Sequence, residues 1–482
     1  MTGGYAPASR PPQRITRKNH GYFLHITDMH VDDDYISGAT VKSDCHKLPS
    51  LTDKMKSAEI AGKWGTPGAH CDAPVGLAEE TLNWIVKEWR SKLDFVVWTG
   101  DNARHDWDKK HKRKRRNVYE LNQRVTDMMM EAFWPRNSDD VVPVIPSFGN
   151  NDVYPHNQIG DDDGDLLSFY EQLWRPWIPV NQRQTFRQGG YFIVHVGPRL
   201  NVLTLNSLHF YNKNKAVHNC HKNNSPGAIQ LAWFENQLRK ARSEKERIYV
   251  IGHVPPSPRD YKGTCLAEYM RVASSYNDVI MGQFFAHLNM DHFMLFDGRE
   301  SVQTLPDDDD LSIQEEDGKV HATRDIEAYM GWLRNMYERI DPLDDKRAPP
   351  NTKPPIVAVQ VSPSVLPVYY PGFRIYKYEI NESEEETDDD DEDRKPHGTL
   401  LGYEQYFSNL TKWNELDSDH IEYELEYSTE EEYDMEDLSV ESYFELAKRM
   451  VEGDEEGNEL WSMFQRHMLV STQNFSSNPF IQ

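Results

Sequence analysis

Six short apolar runs, at 22–26, 95–98, 141–145, 202–205, 248–251 and 356–361, constrain this chain more than any other feature. They are rich in β-branched or aromatic residues and bounded by polar ones, which predicts buried strands. Between them, 78–92, 118–133, 166–177 and 229–244 carry apolar residues at helical spacing, so strands and helices alternate as in a layered α/β protein. Function is then expected in the loops at strand ends. Most of these runs do end at loops dense in Asp, Asn, His and Gly.

Residues 21–380 are expected to form one catalytic domain, preceded by a flexible leader at 1–20. Ten of the twelve residues from 382 to 393 are acidic, so 381–398 reads as a disordered loop, too charged to bury. Beyond it, 403–410 and the expected helices 440–451 and 459–468 have enough aromatic and apolar residues for 399–482 to dock on the main body as a C-terminal extension. The formal net charge of -26 argues against a general nucleic-acid binder. Against that background, 109–116 is almost wholly basic.

Cys45, Cys71, Cys220 and Cys265 share no C-x-x-C spacing, which disfavours a zinc ribbon. An even cysteine count with sequons at Asn223, Asn381, Asn409 and Asn474 suits a secretory or vacuolar lumen. There, pairing in sequence order, Cys45 with Cys71 and Cys220 with Cys265, is the simplest scheme; four buried thiols are the alternative. No run of about 20 apolar residues is present, and the N-terminus lacks the apolar core of a signal peptide. Either an anchor precedes this chain or the location is not luminal.

Five segments carry the chemistry: Asp28-Met29-His30, Gly100-Asp101-Asn102, Gly149-Asn150-Asn151-Asp152, Gly252-His253 and Ala286-His287-Leu288-Asn289. Together they supply carboxylate, amide and imidazole donors. Two cations a few Å apart need one ligand that spans both, and a carboxylate such as Asp101 has the two oxygens to do so. Such a pair acidifies a water and stabilises charge on phosphoryl oxygens during in-line attack.

In order and spacing the series D-x-H, G-D, G-N, G-H and A-H-x-N across 25–292 resembles the calcineurin-like metallophosphoesterases. The resemblance implies a layered sandwich of two mixed β-sheets flanked by helices. It also implies that Asp28 and His30 bind one metal, that Asp101 bridges, and that Asn150, His253 and His287 bind the second. Two positions depart from the common pattern. Asn151 stands where a histidine is usual, removing a proton donor to the leaving oxygen, and Asn289 stands where a histidine would ligate the first metal. Asn289 can coordinate through its amide oxygen; Asp291 and His292 are the nearby alternatives. His105, four residues beyond Asp101, is the candidate replacement acid, with Asp106 or Asp108 to raise its pKa.

These departures, with Trp98-Thr99-Gly100-Asp101-Asn102-Ala103-Arg104-His105-Asp106, are similar to the endopolyphosphatase family in the acid-sphingomyelinase-like branch. That likeness implies dimetal hydrolysis of phosphoanhydride bonds inside inorganic polyphosphate, in the vacuole lumen. The metals expected are zinc, manganese, cobalt or magnesium. A linear polyanion also needs cations beside the metals, for which Arg104, Lys112 and Arg113 are the candidates, with His105 and Asn151 contacting the phosphate. The competing readings are a phosphodiesterase acting on a lipid headgroup or nucleotide, which predicts an apolar or aromatic groove, and a metal-binding scaffold without catalysis.

Overall fold

The computed structural model describes residues 20–52, 58–135, 141–298, 326–340, 355–381 and 395–472. The leader, most of the acidic tract and Asn474 lie outside the described residues. Strands β1 (His20–Ile26), β2 (Val31–Asp32), β3 (Ala73–Pro74), β4 (Phe95–Trp98), β5 (Val144–Pro146), β6 (Phe192–Gly197), β7 (Leu200–Thr204), β8 (Arg247–Ile251), β9 (Ile280–Phe285), β10 (His292–Asp297), β11 (Ile356–Val361), β12 (Gly372–Glu379), β13 (Leu400–Phe407) and β14 (Glu424–Ser428) form the framework. Two six-stranded sheets result, ordered β14-β13-β12-β1-β4-β5 and β10-β11-β9-β8-β7-β6. Both are mixed. β1, β4 and β5 run parallel in the first sheet, as do β7, β8, β9 and β11 in the second, and the remaining pairings are antiparallel.

The sheets face each other across an aromatic core. Phe23 of β1 stacks on Phe95 and Tyr376 within its own sheet and meets Tyr249 and Phe284 of the other at 5.5 and 5.4 Å. These side chains are fully buried, and contacts of this kind add to the burial free energy of the rings. Helices α1 (Val75–Glu88), α2 (Arg115–Phe133), α3 (Gly164–Leu173) and α5 (Pro226–Glu244) form where the sequence places amphipathic stretches, and α4 (Arg183–Gly189) and α6 (Gly263–Ser275) form beyond them. On α1, Leu77, Ala78, Thr81, Leu82 and Ile85 form the buried stripe.

The C-terminal segment does more than dock. β13 and β14 extend the first sheet from β12, and α10 (Val440–Val451) and α11 (Glu455–Met468) pack near α7 (Ile326–Arg339) and β10. Along the chain α8 (Leu410–Glu415) lies between β13 and β14, and the short α9 (Thr429–Tyr433) follows β14. A buried polar knot joins this segment to the rest: Arg374 of β12 pairs with Asp291, which also accepts from the Tyr427 hydroxyl, while Arg374 Nε donates to Gln405 at 3.0 Å. Half-buried Glu426 accepts from Gln405 Nε2 at 2.8 Å and Ser471 Oγ at 2.6 Å.

Burial, with the nearby Asp291 charge also acting, pushes the Glu426 carboxyl up to about 8. A proton held more tightly in the folded than in the unfolded chain stabilises most below the ordinary carboxylate pKa, and that contribution is lost as pH rises through about 8. Glu426→Gln is therefore expected to flatten the decline of thermal stability between about pH 4.5 and pH 8. Melting curves of both proteins across that range check it; parallel declines would refute the assignment.

Candidate dimetal site

Five parallel strands end at one edge of the sandwich, and each delivers a donor within a few residues of its last member. Asp28 and His30 follow β1, Asp101 follows β4, Asn150 follows β5, His253 follows β8, and His287 and Asn289 follow β9. The chain turns sharply at these points. Asp28, His30, Asp101, His287 and Asn289 all have positive φ, between 39° and 72°, a region costly for side-chain-bearing residues. Two glycines make the approach of the loops possible. Gly100 has φ of 87°, and a Cβ on Gly149 would lie 2.1 Å from Asp101 Oδ1.

Asp101, Asp28 and His30 form one group whose donor atoms lie within 4.8 Å of one another, and Asp101, His253 and His287 form another. Asp101 belongs to both, as a bridging carboxylate must. Its position is fixed from two sides. Asn151 donates to it from the backbone N–H (2.7 Å) and from Nδ2 (2.8 Å). The buried carboxylate of Asp152 accepts from the backbone N–H groups of Gly149, Asp101 and Asn102 at 2.8 to 2.9 Å, holding the loop.

The imidazoles establish that the site suits cations. His253 Nδ1 donates to Thr99 O at 2.8 Å, so a neutral ring has only a lone pair at Nε2. That lone pair faces Asn150 Oδ1 at 3.0 Å and Asp101 Oδ2 at 3.2 Å. His30 repeats the pattern: Nδ1 donates to Ala103 O at 3.1 Å while Nε2 faces Asp28 Oδ1 at 3.5 Å and Asp101 Oδ2 at 3.4 Å. Acceptors that converge in this way require a proton or a metal between them. Burial lowers the pKa of His253, but Asp101 and Asp28 overcome it and raise the group to about 9. A divalent cation can replace such a proton, with the second ring nitrogen anchored as metal-binding histidines usually are. Asp28 Oδ1 and Asn289 Oδ1 are buried without hydrogen-bond partners, as open donor positions for a cation would be.

Asn289 Oδ1 is thus left open among the described residues, and the two alternatives are engaged elsewhere. Asp291 is committed to Arg374 and Tyr427, and His292 is held by Met290 O (3.2 Å) and the Tyr329 hydroxyl (2.6 Å).

His105 lies beside the first group, its ring stacked between those of His30 and Trp107, each 4.1 Å away. Its carboxylate partner is neither of those expected. Asp106 accepts from the Arg113 backbone and Asp108 is paired with His46, while Asp72 accepts from both the backbone N–H (2.9 Å) and Nδ1 (2.7 Å) of His105. Burial and then His30 lower the His105 pKa, opposed by Asp72.

The expected cationic contacts divide. Arg104 is buried and engaged in structure, donating to His105 O and His111 O at 2.9 and 2.6 Å, which corrects its assignment as a phosphate ligand. Asn151 likewise directs its donors at Asp101. Buried Arg113 ties two site loops together through Arg104 O and Asn151 O, and its Nη2 has no partner. Lys109, Lys110, Lys112 and Lys114 are exposed, leading into α2.

Sequence reasoning missed three supporting residues: Asp72, Asp152 in its loop-holding role, and His156. Asn150 Nδ2 donates to His156 Nε2 (3.1 Å) and Asn157 Oδ1 (3.0 Å), which turns its amide oxygen toward His253. No local motif marks His156; it is adjacent only because the loop after β5 folds back. The cysteines pair as Cys45–Cys71 and Cys220–Cys265. Of the sequons, Asn223 is exposed, Asn381 is half-buried, and Asn409 caps α8 by accepting from Lys412 N.

The calcineurin-like phosphoesterase family matches residues 21–291, more than half of the chain and the whole span of these donors. The fold and the paired donor groups are therefore those of a dimetal phosphoesterase. An endopolyphosphatase from Cryptococcus neoformans is 34% identical, the alignment covering 77% of this chain and 60% of that one. One from Saccharomyces cerevisiae is 32% identical, covering 84% of this chain and 68% of that one. The chain belongs to the endopolyphosphatase family of calcineurin-like phosphoesterases. It spans about 60% of the length of the Cryptococcus relative. Among solved structures, a dimetal phosphatase from Danio rerio has a TM-score of 0.35 at 13% identity, covering 57% of this chain and 83% of that one.

If His156 orients Asn150, His156→Ala is expected to weaken one of two bound metals by roughly 10- to 100-fold and leave the other nearly unchanged. Titration of metal-free protein with manganese, followed by calorimetry, distinguishes the two sites; two unaltered affinities would eliminate this role.

Proposed function

We propose that this chain hydrolyses phosphoanhydride bonds inside inorganic polyphosphate with two divalent cations, held by Asp28, His30, Asp101 and Asn289 on one side and by Asp101, Asn150, His253 and His287 on the other. The observation that carries the proposal is the membership of Asp101 in both donor groups. A thiolate-free set of carboxylate, amide and imidazole donors accords with zinc, manganese, cobalt or magnesium. When bound, such a pair supplies Lewis acidity toward phosphoryl oxygens and an acidified water as nucleophile.

The protein's own residues then orient and exchange protons. Asn151 and Asp152 keep Asp101 in its bridging position, and Thr99 and Ala103 carbonyls direct the Nε2 atoms of His253 and His30 inward. His105, whose Nδ1 donates to Asp72, gives a proton from Nε2 to the departing phosphate only as the doubly protonated ring, a form that burial and His30 disfavour and Asp72 favours; in that form it replaces the histidine that Asn151 displaced.

The substrate class follows from charge. Lys114 caps α2, and Arg115 and Arg116 occupy its first turn, where the helix dipole disfavours cations. Arg115 rests on Tyr119 and Arg116 pairs with Glu120, leaving the exposed lysines ahead of them as a cationic approach to the site. A polyanion is favoured by such a surface and a lipid headgroup is not. The complete donor set argues against a non-catalytic scaffold. Two disulfides support an oxidising compartment, in keeping with a vacuole lumen. Among the described residues no helix is long and apolar enough to cross a membrane.

Incubation of the metal-loaded protein with long-chain polyphosphate is expected to give intermediate lengths early, the pattern of interior cuts. Asp101→Asn should abolish cleavage and reduce metal stoichiometry, and cleavage surviving in chelator would sink the dimetal reading. His105→Ala should lower kcat by about 10² to 10⁴ with little change in KM. Asp72→Asn should show a smaller fall, about 10- to 100-fold, with metal content retained. Unaltered kcat in both variants would remove His105 as the acid.

A further inference from the structure

A second cationic segment, on a different wall from the lysines at 109–114, has no role in the reading above. The stretch 211–222 carries Lys213, Lys215, Lys222, His218 and His221 and not one acidic residue, in a chain of net charge -26. It is fixed in place. Cys220 is bonded to Cys265 at the start of α6, and the His221 backbone donates to Thr264 Oγ1 at 3.0 Å. Asn212 donates to Asp260 O and Arg259 O, and Asn214 Nδ2 to Ile159 O and Leu208 O, all at 2.6 to 2.9 Å.

This wall adjoins the metal-binding groups at two points. The ring of Tyr211 meets His287 edge-on at 5.4 Å. Gln158, two residues beyond the His156 that orients Asn150, donates to Lys213 O at 3.1 Å and accepts from Lys215 N at 2.9 Å. The segment therefore borders the His253 and His287 side of the centre, whereas the lysines leading into α2 follow the Asp101 loop.

Lys262, the residue that precedes α6, reaches back to this segment. Lys262 Nζ donates to Asn214 O at 2.7 Å, and burial, reinforced by Lys215, lowers its pKa to about 8. The carboxylate in the neighbourhood is Asp260. It accepts from Ser257 Oγ at 2.5 Å, and burial raises it to about 6, opposed by Arg259 and Lys213. Like charges brought together on a rigid loop are unfavourable until an anion joins them.

We propose that Lys213 and Lys215, with Lys262 behind them, form a second anion subsite that holds phosphates on the His287 side of the metal pair. A linear polyphosphate then lies across the centre, gripped on one side by this loop and on the other by the lysines leading into α2. The proposal rests on the polyphosphate reading, and it explains how a chain can be cut away from its ends: both flanking stretches are bound while the bond between them is broken.

The test separates binding from cleavage. Binding of long-chain polyphosphate to the metal-free full chain is measured as a function of salt for the wild type, for Lys213→Gln/Lys215→Gln and for the single exposed-residue variant Lys215→Glu, with melting temperatures as the control for folding. The double variant should bind about tenfold more weakly, and its logarithmic salt slope should fall by roughly one unit per lysine removed. Lys215→Glu should weaken binding in the same direction. Affinity and slope equal to wild type in both variants would overturn the subsite, whatever hydrolysis shows. Loop-dependent binding without hydrolysis by the manganese-loaded wild type would instead overturn the catalytic reading and leave the subsite standing.

Discussion

Burying three carboxylates together is the constraint to which the rest of this centre answers. Asp28, Asp101 and Asp152 are each at most 2% exposed, and ionised carboxylates removed from water cost several kcal/mol each unless their charge is met. Backbone N–H groups satisfy Asp152, at the end of a strand-to-loop turn. Asp28 and Asp101 have imidazoles and amides about them, whose nitrogen and oxygen lone pairs also point inward. The unpaired negative potential is the binding energy offered to the metals. It is also what allows five donors to persist with positive φ, because local strain can be offset by coordination when the surrounding structure holds the backbone in place.

The architecture converts that local demand into a global one. β1, β4 and β5 of the first sheet supply Asp28, His30, Asp101 and Asn150, and β8 and β9 of the second supply His253, His287 and Asn289. Neither sheet carries a complete site. The two groups come into register only if the aromatic interface around Phe23, Tyr249, Phe284 and Tyr376 sets the sheets at the right spacing. The C-terminal segment contributes to the same alignment. Arg374 and Tyr427 hold Asp291, two residues beyond Asn289, and the Asp291 backbone donates to Met468 O at 3.2 Å. Residues far along the chain thereby brace the loop that carries Asn289.

Legibility from sequence followed the range of the interaction. β4, β8 and β11 match their apolar runs at both ends or within one residue, because a buried central strand announces itself locally. β12, β13 and β14 escaped notice: Arg374, Glu404, Gln405 and Glu426 break their apolar pattern, and Arg374, Gln405 and Glu426 are tolerated because they meet one another in the folded protein, as Glu404 meets the Tyr406 hydroxyl. Within the site, the donors sit in short motifs after strands and were readable. Their supports were not, since Asp72 reaches His105 across 33 residues and His156 reaches Asn150 through a reversal of the loop. Arg104 was misread for a related reason. An arginine beside a metal loop looks available until the carbonyls of His105 and His111 are seen to claim it.

The two disulfides brace opposite walls of this arrangement. Cys71 immediately precedes Asp72, so its bond to Cys45 restrains the carboxylate that orients His105, and the same cysteine-rich loop places His46 between Asp32 and Asp108 at 2.7 and 2.9 Å. Cys220 restrains the lysine segment that borders His287. Cys45–Cys71 lies in a small cluster apart from the main core, whereas Cys220–Cys265 ties the lysine segment to a cysteine buried in that core. Closing the chain across sequence separations of 26 and 45 removes freedom from the unfolded state. Covalent restraint thus ties polar segments beside the centre to fixed points, the Asp72 loop to Cys45 and the lysine segment to buried Cys265 at the start of α6, around a centre whose chemistry depends on the positions of charged groups.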